Sequence, residues 1–254
     1  MVSVAEQYMN EMHDQFKYFA TWVPGTPLQI GDIGELKGTE FTHLSDLKQK
    51  GIDFKIRSDP SKISLHYASS GGVSISTKFS GDAGIPQFNL DVADAGIIVK
   101  FSKDKGVAFE AQGAEQRMIA DVIKVDKAIL DAYNNGRWED DWVVISDLML
   151  ADSGTVLISQ GKDAAIGLKA KIQVPKLSLA NIDANFDVTY ENNLNTTVIC
   201  QAGLTPLFKI RGIDRGFLGI GSPHVEGMRR GKKEHDAAGI PKLMVKEIPF
   251  KPFK

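Results

Sequence analysis

Residues 162–190 alternate apolar and polar side chains with a period of two. Ile166, Leu168, Ala170, Ile172 and Val174 fall on one side of an extended chain, and Gly167, Lys169, Lys171 and Gln173 on the other. Past Pro175, Ile182, Ala184, Phe186, Val188 and Tyr190 oppose Asp183, Asn185, Asp187 and Thr189. The pattern predicts two strands of about nine to eleven residues. That is longer than the usual strand and matches the roughly 9–11 residues that carry a tilted strand across a bilayer. A half-exposed antiparallel sheet in a globular domain alternates in the same way, so the pattern leaves both readings open.

A second run, residues 62–80, predicts another long hairpin. Ile63, Leu65 and Tyr67 climb one arm, residues 69–72 turn, and Val73, Ile75, Thr77 and Phe79 return. Its opposite face, Ser64, His66, Ser74, Ser76 and Lys78, is small and polar, which suits an aqueous lumen or plain solvent. Residues 95–102 and 106–112 flank Asp104 and Lys105 as a further tight hairpin. Shorter strands are expected at residues 138–147, 154–159, 194–201 and 207–210.

Helical spacing is rarer. Ser3 with Glu6 forms a capping box, after which Val4, Tyr8, Met12, Phe16 and Phe19 recur on one stripe until Pro24 and Gly25. A stripe rich in Met and aromatic residues suits a core, a partner groove or a membrane interface. Residues 114–135 predict a long central helix of roughly 33 Å, with Met118, Val122, Val125, Ile129 and Tyr133 on one stripe and Gly136 past its end. Residues 41–50 predict a short helix ended by Gly51; Gly31 and Gly34, which frame Asp32, read as a turn rather than a phosphate cradle. Strands outnumber helices and cluster without βαβ alternation. The expected class is therefore α+β, with a twisted, mainly antiparallel sheet, long amphipathic hairpins, an amino-terminal amphipathic helix and one long central helix.

Composition and charge refine this. The 254 residues are 43% hydrophobic and 24% charged, and no run approaches eighteen apolar residues. The start of the chain lacks the order of a secretory signal, so synthesis in the cytosol is expected. A single cysteine, Cys200, excludes an internal disulfide framework. Residues 205–254 carry eleven Lys or Arg against five Asp or Glu, leaving nineteen against twenty-seven in the first 204. The tail is basic, with Arg229, Arg230, Lys232 and Lys233 its densest cluster. It is expected to be irregular or loosely docked after about residue 212.

Catalytic chemistry is not legible. There is no G-x-S-x-G and no H-E-x-x-H; His13, His43, His66, His224 and His235 are dispersed. Glu139, Asp140 and Asp141 between Trp138 and Trp142 read as a solvated turn. No catalytic residue, metal site or cofactor is expected. Nucleic acid is not an expected partner either, because the basic tail brings charge without an aromatic platform.

The order of elements, and above all LDAYNNGRWEDDWVVISDLMLADSGTVLIS over residues 130–159, resembles the pore-forming domain of gasdermins, where a helix ends in a Gly-containing turn before a Val-Val-Ile/Thr strand and a Thr-Val-Leu strand. The resemblance spans residues 1–211, leaving 212–254 as a basic tail, and the length matches short fungal and bacterial members. It implies a cytoplasmic, non-catalytic protein of regulated cell death, innate immunity or allorecognition that moves to the plasma membrane on activation. It further implies binding to acidic phospholipid, oligomerisation with itself or a related chain, and two inserted β-hairpins per subunit in a β-barrel, with a protease as possible activator. On this reading Tyr8, Met12, Phe16, Phe19 and Trp22 meet the membrane. Ile63, Leu65, Tyr67, Val73, Ile75, Phe79, Ile166, Leu168, Ile172, Phe186 and Val188 line the inserted hairpins, and the tail cluster attracts anionic lipid. The competing expectation is a soluble binding or structural module with merely amphipathic sheets.

Overall fold

A computed structural model describes residues 2–171, 177–179, 182, 186–200, 203–214 and 244–253; at Cys200 and Asp214 it describes the backbone alone. The elements in chain order are α1 (Val4–Phe16), β1 (Phe19–Ala20), β2 (Asp32–Lys37), β3 (Glu40–Asp46), β4 (Ile56–Ser58), β5 (Ile63–Ala68) and β6 (Val73–Lys78). Next come β7 (Gly96–Phe101), β8 (Val107–Ile119), α2 (Val122–Asn134), β9 (Trp142–Ala151) and β10 (Ser153–Ser159). The remainder are β11 (Ala165–Ala170), β12 (Phe186–Asn192), β13 (Leu194–Cys200), β14 (Leu204–Asp214) and β15 (Met244–Glu247). The class is α+β with mainly antiparallel sheet, as the strand-rich pattern implied.

The spine is β8 against β9 and β10, a continuous antiparallel pair bent once. At the bend Gly113 takes φ +61° and faces Asp152, whose carboxylate a Cβ at 113 would strike. Below the bend β8 pairs with β9 and β4; above it, with β10 and β5. β14 and β13 run along β9 and β10, and β1, β2, β3 and β15 complete an eleven-stranded sheet. A smaller sheet, ordered β12-β11-β7-β6, stacks on the part above the bend. Ile97, Val99, Phe101, Ile166, Leu168 and Phe186 meet Ala108 and Leu157 between the two layers. The larger core lies on the main sheet, where α1 buries Tyr8, Met9 and Met12 and α2 buries Val125, Ile129 and Ala132.

Several expectations need correction. The arms of the hairpins expected at residues 62–80 and 95–112 are not paired: β5 joins the large sheet and β6 the small one, and β7 and β8 divide likewise. Alternation reports which faces are buried but not which strand is the neighbour. The long helix begins only at Val122, so α2 has thirteen residues, about 20 Å. Residues 114–119, Met118 among them, extend β8, because pairing with β4 and β9 satisfies their backbone, and Asp121 then caps the helix through the Lys124 amide. Residues 41–50 hold β3 and a turn instead of a helix, since β3 adds to β2, which itself pairs with β9. α1 stops at Phe16 because Lys17 turns left-handed, φ +62°, so Phe19 and Trp22 lie beyond it.

The hairpin of β11 and β12 does pair as its alternation implied, with strands of six and seven described residues. A bulge between Gly167 and Leu168 sets Leu168 opposite Val188 but Gly167 opposite Tyr190. Tyr190 therefore leaves the face of Phe186 and packs edge-on to Phe88, 4.9 Å away on the outer side of the small sheet. Ile172 and the cluster Arg229, Arg230, Lys232 and Lys233 lie outside the described residues. The last described segment is not loose. β15 pairs with β14, which itself crosses the expected boundary at 211/212, and Phe253 exchanges two hydrogen bonds with Asn10 of α1, at 2.9 and 3.0 Å.

Candidate functional site

Among the described residues, the stacked half of the molecule is built from four arches. β5 turns into β6 through residues 69–72, β7 into β8 through 102–106, β10 into β11 through 160–164, and β12 into β13 at Asn193. The upper layer is ordered β5-β8-β10-β13 and the lower β6-β7-β11-β12, so each strand lies in the same sequence of neighbours as its own continuation. The central two arches share one register. Val107 opposes Ile158 in one sheet, Lys100 opposes Ala165 in the other, and six residues separate the pairs on each chain segment.

The arch turns are tied to α1 by one carboxylate. Glu11 accepts from Tyr67 Oη (3.1 Å), Ser69 Oγ and Gln7 Nε2 (2.8 Å), and lies 3.4 Å from Lys103 Nζ. Ser69 Oγ in turn accepts from the Val107 amide (2.8 Å), and Ser159 Oγ bridges the Gly106 amide and Lys103 O at 2.8 Å each. Burial first, and the Glu11 charge next, push the Tyr67 hydroxyl up to about 12. The outer face of the small sheet carries an apolar cluster, Phe88, Leu90, Ile98 and Ala165 with Tyr190, flanked by engaged polar groups. Lys78 Nζ is buried and donates to Asp94 O (2.7 Å), while Lys169 pairs with the Asp94 carboxylate at 2.8 Å and Lys171 with Asp187 at 2.9 Å. The Lys169 bond holds Asp94 below the usual carboxylate range.

The expected membrane-contact stripe is turned inward. Tyr8 and Met12 are fully buried, Phe16 sits edge-on to Phe109, Phe19 stacks on Phe208 from β1, and Trp22 lies beside Tyr8. An amphipathic helix against a sheet has one apolar face, and here the core takes it. Of the hairpin positions, Ile166, Leu168, Phe186 and Leu65 are buried, and Tyr67, Val73 and Ile75 are half-buried. Ile63, Phe79 and Val188 are exposed, at 46, 58 and 48%. Glu139, Asp140 and Asp141 are exposed, as a solvated turn should be.

A feature without a sequence signal is a cleft of about 640 Å³ lined by Asp32, His43, Lys48, Phe54, Arg117 and Leu148 among others. Its residues come from β2, β3, β4, β8, β9, β14 and adjoining loops, and only sheet pairing assembles them. Burial raises the Asp32 carboxyl, which accepts from the Gln29 amide (2.8 Å) and lies 3.7 Å from His43. Among the described residues no group of His, Cys, Asp and Glu is arranged to hold a metal ion, and no helix is long and apolar enough to cross a membrane. No protein-family model matches the chain, and no curated protein matches it in sequence.

Proposed function

We propose that this protein permeabilises membranes, assembling with further copies or a related chain on acidic lipid and inserting two β-hairpins per subunit. The observation that carries the reading is the matched order of the four arches. Straightening their turns converts the stacked layers into one four-stranded antiparallel sheet without exchanging any neighbour. One hairpin is then residues 63–78 against 96–112, the other residues 153–170 against 186–200. A straightened residue 63–78 strand reaches about 50 Å, well beyond a hydrocarbon core of roughly 30 Å.

Side-chain parity supports the same conversion. In an extended chain Leu65, Tyr67, Val73 and Ile75 share a side. So do Ile97, Val99, Phe101, Val107 and Phe109, and likewise Val156, Ile158, Ile166 and Leu168. In the folded monomer these apolar sets are divided between the α1-covered core and the inter-layer core. The other side would carry His66, Ser74, Ser76, Lys78, Lys100 and Lys169, mostly compatible with water, with Ile98 and Leu157 as its two large apolar exceptions on the central strands. Since every backbone group must be satisfied in lipid, insertion requires a closed ring of subunits.

Val188 provides the test, because it lies opposite Leu168 on the apolar side yet is already exposed. Leu168 itself is fully buried and a charge there would unfold the monomer. Val188→Arg is expected to keep the parental melting temperature but to reduce dye release from phosphatidylserine-containing liposomes at least tenfold, since a lipid-facing Arg near the midplane costs about 2–4 kcal/mol per subunit. Release at the parental rate, or no release by the unmodified protein on any membrane, rejects the proposal. The second reading, a binding module, is favoured by the Asp32–Arg117 cleft and predicts no membrane activity.

A further inference from the structure

Connections between strands ordinarily run over the surface, where water satisfies their backbone. Leu179 and Ile182, between β11 and β12 in the chain, do otherwise. Leu179 has no exposed area and Ile182 is 1% exposed, both packed between the two sheets with Ile97, Leu157 and Phe186. Both backbone groups of Leu179 are engaged: its amide donates to Glu110 Oε2 (3.1 Å), and its carbonyl accepts from Thr155 Oγ1 (2.7 Å). Ser178 Oγ donates to the other oxygen of Glu110 (3.0 Å). Glu110 on β8 and Thr155 on β10 are register partners, so two adjacent side chains of the upper layer grip one residue of the lower layer's connection.

We infer that Ser178 and Leu179, gripped by Glu110 and Thr155, form an internal staple that holds the arched layers closed. The layers cannot separate while Leu179 stays in place, because its side chain belongs to the shared core and its backbone is bonded to the upper layer. The staple has a vulnerable side. A cavity of about 360 Å³ lies beside it, bounded by His66, Thr77, Ile97, Glu110 and Leu177, with His66 exposed at its edge. His66 is the register partner of Glu110 on β5, and Ser178 and Leu179 themselves line the cavity beside Glu110. Solvent reaching Glu110 from that side competes for the bonds that fix Ser178 and Leu179. The gating role rests on the permeabilisation reading; the held state of Leu179 does not.

The experiment compares the full-length protein with Glu110→Ala and with the near-isosteric Thr155→Val, by hydrogen exchange at the Leu179 amide and by dye release from phosphatidylserine-containing liposomes. Exchange at Leu179 is expected to rise about tenfold or more in each variant, as loss of one or more hydrogen bonds worth roughly 1–2 kcal/mol implies, while amides of α2 keep their protection. The onset of dye release is expected to shorten by a similar factor. Unchanged exchange in a folded variant overturns the staple, and faster exchange with unchanged release overturns its gating role. Should Glu110→Ala fail to fold, Thr155→Val decides. If even the parent never releases dye, the permeabilisation reading falls, and exchange alone judges whether Leu179 is held.

Discussion

Glu11 joins α1 to two arch turns, and its side chain is only 11% exposed. Replacing it with Ala leaves Tyr67 Oη and the buried Ser69 Oγ short of an acceptor, an expected loss of about 2 kcal/mol; the half-exposed Lys103 pair adds little. Urea unfolding should show a lower midpoint at constant slope, and an unchanged midpoint would remove Glu11 from the stabilising contacts. His13, on the same helix, is stacked on Phe250 with ring centres 4.2 Å apart, and its Nδ1 is buried without a partner. Burial, then the Lys17 charge, lowers its folded pKa below 6.5. The unfolded chain thus takes up the proton first as pH falls. The stabilising contribution is full above 6.5 and is lost as pH falls through the lower folded value. Melting curves between about pH 8 and about pH 5 should therefore drop more steeply for the parent than for His13→Phe, which keeps the ring stack. Parallel curves would assign the pH response to other groups.

At the scale of elements, the bend in β8 decides how the layers divide, and it depends on one glycine. Ala at 113 meets both a left-handed backbone and the Asp152 carboxylate, whereas Gly71, φ +61°, has nothing within 4 Å of where a Cβ would stand. Gly71→Ala is expected to cost about 1 kcal/mol for the backbone alone, and Gly113→Ala a further 1 kcal/mol or more for the collision. Equal losses in chemical denaturation would mean that Asp152 simply swings aside. The arches also explain which elements were readable. The capping box at Ser3 and Glu6, the turn at residues 69–72 and the pairing of β11 with β12 are local, and local spacing revealed them. Residues 114–119 carry helical spacing but become strand, because β4 and β9 offer them a ladder from far along the chain. The bulge that turns Tyr190 outward has no sequence mark either, since it arises where two strands of fixed register meet a different spacing.

Over the whole molecule, the last described residues close the structure onto its first helix. Val245 is buried beside β14, Phe250 packs edge-on to Phe19 at 5.4 Å, and Phe253 is hydrogen-bonded to Asn10. Ending the chain after residue 243 is expected to destabilise the fold by on the order of 3 kcal/mol, lower the melting temperature and speed amide exchange in α1. Parental exchange in α1 would show that the strap adds no restraint. The alternation of residues 62–80 and 162–190, the capped first helix and the excess of strands were determined by the sequence itself, because each depends on residues a few positions apart. The tertiary structure alone decided that β5 and β6 belong to different layers, that Tyr8 and Met12 face the core, and that Glu110 and Thr155 hold Leu179. A period of two fixes which residues share a side, but strand partners, and hence what covers each side, follow from the competition of all strands for pairing and burial at once.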